Sequence, residues 1–241
     1  MSECCPGSPK PDECEAPKPA SPCCGSAQPP KPAPACCGAA ARTASPCCGG
    51  GAAASPAASG DPVAWFANMV PNAVAYAEQA KAAGRPVVGI MCEYTPREII
   101  LAAGAVPVCL CGGSAETIPP AEEHLPANLC PLIKSTYGYH VTGGNPLLEM
   151  CDLLVAETTC DGKKKMYELL ADSREMIVLE LPQRADDPAG LAHWTDELRM
   201  LRSKLERRFG VGITDACLRE AITTMNRERA LRRQLARLMK R

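Results

Sequence analysis

Two cysteine residues lie at predicted strand ends in this sequence, in positions suited to soft-metal chemistry. Cys160 follows an apolar strand predicted at residues 153–156 and precedes a predicted helix whose first turn is residues 161–164. Cys92 follows the apolar run at residues 87–91 in the same way. Backbone N–H groups and the positive end of a helix dipole favour the thiolate form of a cysteine, and thiolates bind metals. Because open parallel sheets bind ligands at the carboxyl ends of their strands, both thiols are expected in one crevice.

A third cysteine, Cys130, lies in a loop or first helical turn. Cys92, Cys130 and Cys160 are far apart in sequence, and the chain contains neither a C-x2-C pair nor a His-x3–5-His pair. This spacing argues against structural zinc, whose ligands usually come in such pairs. Three separated thiolates without histidine suit an iron–sulfur cluster with one iron left open. The alternative for each cysteine taken singly is a buried, inert thiol, since free cysteine is among the most buried residue types.

The remaining cysteines of this region have different predicted roles. Cys111 directly follows the predicted strand at residues 106–110 and can reach the same crevice. Cys109 lies within that strand and is predicted to be a buried packing residue. Cys151 begins a strand, which places it at the opposite edge of the sheet, and Cys217 falls inside a helix, where packing is again the expected role.

Charged and hydroxyl side chains lie near these cysteines in sequence. The three lysines at positions 163–165 can offset the negative charge of thiolate ligands or bind a phosphate. The alternative is a solvent-exposed helix face on which one lysine packs its aliphatic stem. Lys134 and Ser135 lie one helical turn beyond Cys130 and can line the same pocket, whereas the three histidines are isolated, as ordinary surface or capping residues are.

Alternating strands and helices are predicted around these residues. A first helix is capped by Asp61 and stops at Gly84, with a kink expected at Pro71. Such alternation predicts an α/β fold, a Rossmann-like parallel sheet covered by helices on both faces. Two long C-terminal helices are expected to form a cap or a dimer surface. The predicted strands are residues 87–91, 106–110, 153–156 and 176–181, and the further predicted helices are residues 96–103, 121–139, 162–170, 191–210 and a last one from 214.

The first 60 residues differ in composition from the rest of the 241-residue chain. They are almost entirely Ala, Pro, Ser, Gly and Cys, repeat a Cys-Cys unit four times and hold nine of the 16 cysteines. Such a segment cannot build a core, so residues 1–60 are predicted to be a disordered tail and residues 61–241 one globular domain. The tail is interpreted either as a flexible arm that binds soft metal ions or as a low-complexity extension. An alternative function is therefore metal binding or scaffolding, with this tail as the functional segment of the protein.

Charge and hydropathy exclude several classes of partner. The chain has 26 Lys and Arg against 27 Asp and Glu, so no global field favours nucleic acid or an anionic membrane. The longest apolar run, residues 99–111, is too short to span a bilayer, and no signal peptide is visible at the N-terminus. We expect a cytoplasmic protein without nucleic-acid or membrane partners.

Several segments of residues 61–241 resemble a known family. They are Gly-Ile-Met-Cys-Glu-Tyr-Thr-Pro-Arg-Glu at 89–98, Ala-Ala-Gly-Ala at 102–105, Leu-Cys-Pro-Leu-Ile-Lys-Ser at 129–135 and the stretch 158–168 around Cys160. Their order and content resemble the subunits of 2-hydroxyacyl-CoA dehydratases and benzoyl-CoA reductases, most closely the double-cubane cluster proteins. The resemblance implies two Rossmann-like domains with iron–sulfur chemistry between them, of which this chain matches the first. A second domain would then come from another part of the protein or another subunit.

The resemblance also implies a cofactor, partners and ligands. Cys92, Cys130 and Cys160 match family cysteines and are the expected cofactor and metal ligands, with Cys111 as a fourth. The expected cofactor is an iron–sulfur cluster, either [4Fe–4S] or double-cubane. Asn145 stands where a further cysteine is expected, which favours a single cubane. The expected partners are an ATP-hydrolysing iron–sulfur activator protein, the second domain or subunit, and a second copy in a dimer. The substrate is either a 2-hydroxyacyl-CoA or another molecule that is difficult to reduce.

Overall fold

A computed structural model describes residues 61–240 of the chain. The predictions made for residues 1–60, including their disorder and the thiol-rich arm, lie outside the described residues. Four strands and nine α-helices cover the described part of the chain. The strands are β1 Val87–Ile90, β2 Val106–Cys109, β3 Leu153–Glu157 and β4 Met176–Leu179, and the helices are α1 Pro62–Ala67, α2 Met69–Ala82, α3 Arg97–Ala102, α4 Ile118–Glu122, α5 Pro131–Thr142, α6 Pro146–Met150, α7 Asp161–Ala171, α8 Pro188–Phe209 and α9 Asp215–Leu238.

The four strands form one parallel sheet in the order β2-β1-β3-β4. In the register, Ile90 of β1 pairs with Cys109 of β2 on one side and with Val155 of β3 on the other. The central strands β1 and β3 are buried at every position, as expected for strands covered on both faces. The predicted α/β fold is confirmed, with β4 ending two residues earlier than predicted.

Each face of the sheet packs against its own helices. On the face that we call the α5 face, the core includes residues of α2, α4, α5, α6 and α7. On the opposite face, the α8 face, it includes residues of α3, α8 and α9, among them Leu201, Leu205 and Cys217. The two long C-terminal helices are thus confirmed and cover the sheet, and Cys217 is buried as predicted.

The helices differ from the predictions chiefly in three places. The first predicted helix is interrupted at Asn68, and Pro71 lies in the first turn of α2, where a missing N–H is tolerated. The helix predicted at 121–139 is two helices, α4 and α5, because Pro126 lies in the segment between them and Pro131 begins α5. The short helix α6 was not predicted; the Asn145 side chain caps it by accepting from the N–H groups of Leu147 and Leu148. No helix within residues 61–240 combines the length and the apolar character needed to cross a membrane.

Candidate functional site

The carboxyl edge of the sheet contains a topological switch between β1 and β3. After β1 the chain passes through Cys92 to α3 on the α8 face, and after β3 it passes through Cys160 to α7 on the α5 face. Neighbouring strands whose connections leave toward opposite faces open a crevice between their ends. Cys92 is half-buried there and Cys160 is exposed, so the structure places these two predicted site residues on either side of one crevice.

Cys160 is the N-cap residue of α7. Its backbone is extended, with φ −160° and ψ 162°, and its side chain makes no capping hydrogen bond. The thiol therefore lies at the positive end of an 11-residue helix without being used by that helix. The Cys160 sulfur is therefore available to a ligand.

Cys130 is the N-cap residue of α5 and is exposed. Two glycines allow α5 to approach its neighbours closely. A Cβ at Gly138 would lie 1.7 Å from the carbonyl oxygen of Thr117, and a Cβ at Gly162 would lie 2.9 Å from the side chains of both Leu129 and Ile133. Leu129 directly precedes Cys130, and Gly162 is two residues beyond Cys160, so this contact sets the Cys130 loop against the start of α7.

The Cys-x-Cys pair at the end of β2 corrects one prediction. Cys109, predicted to be buried, is exposed, because β2 is an edge strand and Cys109 is its last residue. A hydrogen bond with the Cys111 thiol lowers the pKa of Cys109 to about 6. The Cys111 sulfur also lies 3.2 Å from the backbone carbonyl oxygen of Met91, which places Cys111 at the end of β1 beside Cys92. The two-residue spacing was a signal for this, since alternate residues of an extended chain share a face.

A buried carboxyl group lies under the crevice. Glu157, the last residue of β3, is fully buried. One of its carboxyl oxygens accepts a hydrogen bond from Thr95, and the other has no partner among the described residues. Burial raises the pKa of Glu157 above its ordinary value. Sequence patterning gave no sign of this group, because a glutamate at a strand end usually faces solvent.

The first turns of α7 add one cation and one phenol to this buried region. Lys163 donates to the carbonyl of Met91 at 3.0 Å, so it reaches the residue that precedes Cys92. Tyr167, one turn later, is 2% exposed, and its hydroxyl has no hydrogen-bond partner in the described part of the chain. Burial raises the pKa of Tyr167, and Glu157 and the thiols of Cys92, Cys111 and Cys160 raise it further. The phenol thus experiences the charges of the groups at the crevice.

The other predicted polar residues divide into structural and surface groups. Lys134 is buried, forms an ion pair with Glu122 at 2.6 Å and donates to the Ala127 carbonyl, so it fixes α5 to α4. Ser135 is buried against Thr117. A Cβ at Gly112, the residue after Cys111, would lie 3.0 Å from the Ser135 hydroxyl oxygen, so Ser135 packs beside the Cys111 loop, whereas the contacts of Lys134 are with Glu122 and Ala127. Lys164 and Lys165 form exposed ion pairs along α7, so only the first lysine of the triplet turns inward.

A cavity of about 510 Å³ adjoins the crevice on the α8 face. Tyr94, two residues beyond Cys92, and Thr158 and Thr159, just before Cys160, form the side nearest the cysteines. Trp194 of α8 contributes to the far wall, and none of the residues that line the cavity carries a charge. The cavity therefore suits an uncharged, partly apolar group held next to the thiols.

The cysteine thiols of the crevice are too far apart to bind one metal ion together. Within residues 61–240, no three cysteine, histidine or acidic side chains lie close enough together to hold one metal ion. An iron–sulfur cluster contains several irons, each of which takes its own cysteine, so its ligands need not converge on one point. Thiols from the ends of β1, β2 and β3 and from the start of α5 are the donor set that such a cluster requires.

Comparison with known proteins gives a consistent match over this region. Residues 92–241 match the sequence model of the family described as 2-hydroxyglutaryl-CoA dehydratase, D-component. A putative dehydratase subunit, YjiM of Escherichia coli K12, is 50% identical over 149 residues, which are 62% of this chain and 39% of that protein.

More distant relatives include components of two named enzymes. A benzoyl-CoA reductase subunit of Thauera aromatica is 31% identical over 61% of this chain and 38% of its own length. The beta subunit of lactoyl-CoA dehydratase of Anaerotignum propionicum is 28% identical over 64% of this chain and 41% of its own length. Over the curated relatives that it matches, the chain thus spans between 38% and 44% of their length.

Proposed function

Because the chain belongs to the 2-hydroxyglutaryl-CoA dehydratase D-component family, we propose that it is the iron–sulfur redox component of such an enzyme. In this role it accepts low-potential electrons and passes them to a substrate for reductive dehydration or another difficult reduction. The observation that carries the proposal is the arrangement of Cys92, Cys111 and Cys160 after three adjacent parallel strands, with Cys130 on the helix packed against α7.

Cys92, Cys130 and Cys160 are the proposed ligands, and Cys111 is the proposed fourth. An iron–sulfur cluster held there supplies one-electron transfer. The start of α7 and Lys163 offset the negative charge that several thiolates bring into one crevice. We propose a [4Fe–4S] cluster rather than a double-cubane, since Asn145 caps α6 in place of an additional cysteine.

The uncharged cavity beside the crevice is the proposed site of the reacting part of the substrate. Its residues Tyr94, Thr158 and Thr159 are contiguous in sequence with the proposed ligand loops of Cys92 and Cys160. A group bound in this cavity would lie next to the cluster ligands, where electron transfer is fastest. The names of the relatives point to acyl-CoA thioesters as the substrate class.

The proposed partners complete the electron path and the site. An ATP-hydrolysing iron–sulfur activator would deliver the electron, and a second domain or subunit would cover the crevice. The relatives are named as subunits, which supports a multicomponent enzyme. Leu231, Leu235 and Leu238 project from α9 with about half or more of their surface exposed, which supports dimerisation through this helix.

Cysteine substitutions test the proposed ligand set. In anaerobically purified protein, Cys92→Ser, Cys130→Ser and Cys160→Ser should each lower iron and acid-labile sulfide content and alter the electron paramagnetic resonance spectrum, because a serine hydroxyl is a poor iron ligand. Cys217→Ser is the matched control, since Cys217 is buried between helices on the α8 face. Parent-like iron content in all three ligand variants would refute the site.

A second measurement tests the electron source. Reduction of the cluster should require the activator protein together with ATP, and a non-hydrolysable ATP analogue should not support it. Equal reduction by the activator without nucleotide would refute the ATP-dependent part of the proposal while leaving the cluster assignment intact.

A further inference from the structure

The hydroxyl group of Tyr167 has no role in holding the fold together. It is buried in the core of the α5 face and finds no hydrogen-bond acceptor in the described part of the chain. A buried polar group without a partner costs about 1 to 3 kcal/mol relative to one that is satisfied. Phenylalanine would fill the same space without that cost, so packing alone does not account for a tyrosine at this position.

The groups that influence this hydroxyl are those of the crevice. Glu157 and the thiols of Cys92, Cys111 and Cys160 are the charged or ionisable groups that act on it. Glu157 is not its acceptor, because the free carboxyl oxygen of Glu157 also lacks a partner among the described residues. Tyr167 also lies one helical turn beyond Lys163, whose amine is held at the end of β1 by Met91. The Cys111 sulfur lies 3.2 Å from the same Met91 carbonyl oxygen, so the start of α7, which carries Tyr167, is fixed beside the thiol-bearing ends of β1 and β2. The phenol makes no hydrogen bond to any thiol of the described residues.

A phenol O–H in this position needs an acceptor that the described part of the folded chain does not supply. Cluster sulfides and metal-bound thiolates are sulfur acceptors that carry negative charge. Hydrogen bonds to such charged acceptors are about twice as strong as those between neutral groups. Both kinds of sulfur would be brought into the crevice by the cluster of the proposed function.

We propose that Tyr167 donates a hydrogen bond from its hydroxyl to a sulfur of the iron–sulfur cluster and thereby makes the cluster easier to reduce. The inference rests on the proposed function. A hydrogen bond to sulfur stabilises the more negative, reduced state more than the oxidised state, and such bonds are among the factors that set cluster potentials. Tyr167 is thus a positioning residue that tunes the cluster from beneath, while the substrate approaches from the cavity on the other face of the sheet.

Tyr167→Phe is the variant that isolates this effect. It should keep the fold and the iron and sulfide content, because it removes an unpartnered oxygen and no ligand. Cluster reduction should become about tenfold less favourable, which is a fall of about 59 mV in the one-electron midpoint potential. The control is Tyr137→Phe, another buried tyrosine of the same core, whose hydroxyl is influenced by Asp172 near the C-terminal end of α7.

The experiment uses the full chain, purified anaerobically in the assembly in which it occurs, and a potentiometric titration followed by electron paramagnetic resonance. A lower midpoint for Tyr167→Phe, with parent-like iron content and an unchanged Tyr137→Phe midpoint, supports the inference. An unchanged midpoint in Tyr167→Phe, or an equal shift in both variants, overturns it. Absence of iron and sulfide from the parent protein itself would refute the proposed function and, with it, the inference.

Discussion

Substitution of Gly138 by alanine tests whether the close packing of α5 positions Cys130. A Cβ at this position would lie 1.7 Å from the carbonyl oxygen of Thr117, whereas ordinary contacts begin at 3.4 Å. Either α5 or the Thr117 backbone would therefore have to move by about the difference between these two distances. A main-chain carbonyl cannot rotate out of the way as a flexible side chain can. Overpacking of this kind costs about 1 to 3 kcal/mol or more. Replacing a helical glycine by alanine returns about 1 kcal/mol.

We expect a net loss of about 2 kcal/mol in the free energy of unfolding of Gly138→Ala, measured by urea denaturation. We also expect lower iron content, because displacing α5 moves Cys130 relative to α7. Gly113→Ala is the matched control, since a Cβ at Gly113 would meet nothing within 4 Å. If Gly138→Ala were as stable as the control and retained its iron, close packing of α5 would not be what places Cys130.

Three further predictions concern burial and the tail. Burial raises the pKa of Glu157, so its contribution to stability is present below the unfolded pKa and is lost as the pH rises through the folded pKa. Glu157→Gln should therefore flatten the decline in unfolding free energy from about pH 4 upward, and an unchanged pH profile would contradict this. Lys134→Ala breaks the partly buried contacts with Glu122 and Ala127 and should cost about 2 kcal/mol by urea denaturation. No loss of stability in this variant would mean that other contacts hold α4 against α5. Removal of residues 1–60 should change the thermal midpoint by only a few degrees, since that segment has few large apolar side chains, and a large fall would show that it docks onto the body.

Sequence periodicity predicts the sheet well because β1 and β3 are continuous apolar runs. It does not predict the division of the segment between β2 and β3 into α4, α5 and α6. The breaks there depend on single residues such as Pro131 and the capping side chain of Asn145, which leave helical periodicity nearly unchanged. The position of Cys92 and Cys160 at the carboxyl edge of the sheet could be predicted, because the carboxyl ends of parallel strands always lie at the same edge.

The polar residues beneath the crevice were harder to foresee. A glutamate at a strand end is expected to be exposed, as Glu157 is not, and a tyrosine on the inner face of a helix is expected to be a packing residue. That both side chains are buried with an oxygen that lacks a hydrogen-bond partner among the described residues follows only from the packing of both faces of the sheet. The prediction for Cys109 was wrong because burial depends on whether β2 is central or an edge strand, which is a property of strand order. Whether these cysteines bind a cluster stays a prediction.

The pairing of β1 with β3 has a consequence for the order in which the molecule forms. Val88 and its partner Leu153 are separated by more than sixty residues of sequence, and β2 and several helices lie between them. Contacts of such long sequence separation form slowly, because a large loop must close before they can stabilise anything. During synthesis, Cys92 leaves the ribosome well before Cys160, so the nascent chain carries separated thiols for some time. The crevice is thus a late product of folding, and any group that needs all of its cysteines can be inserted only after the central strands have met.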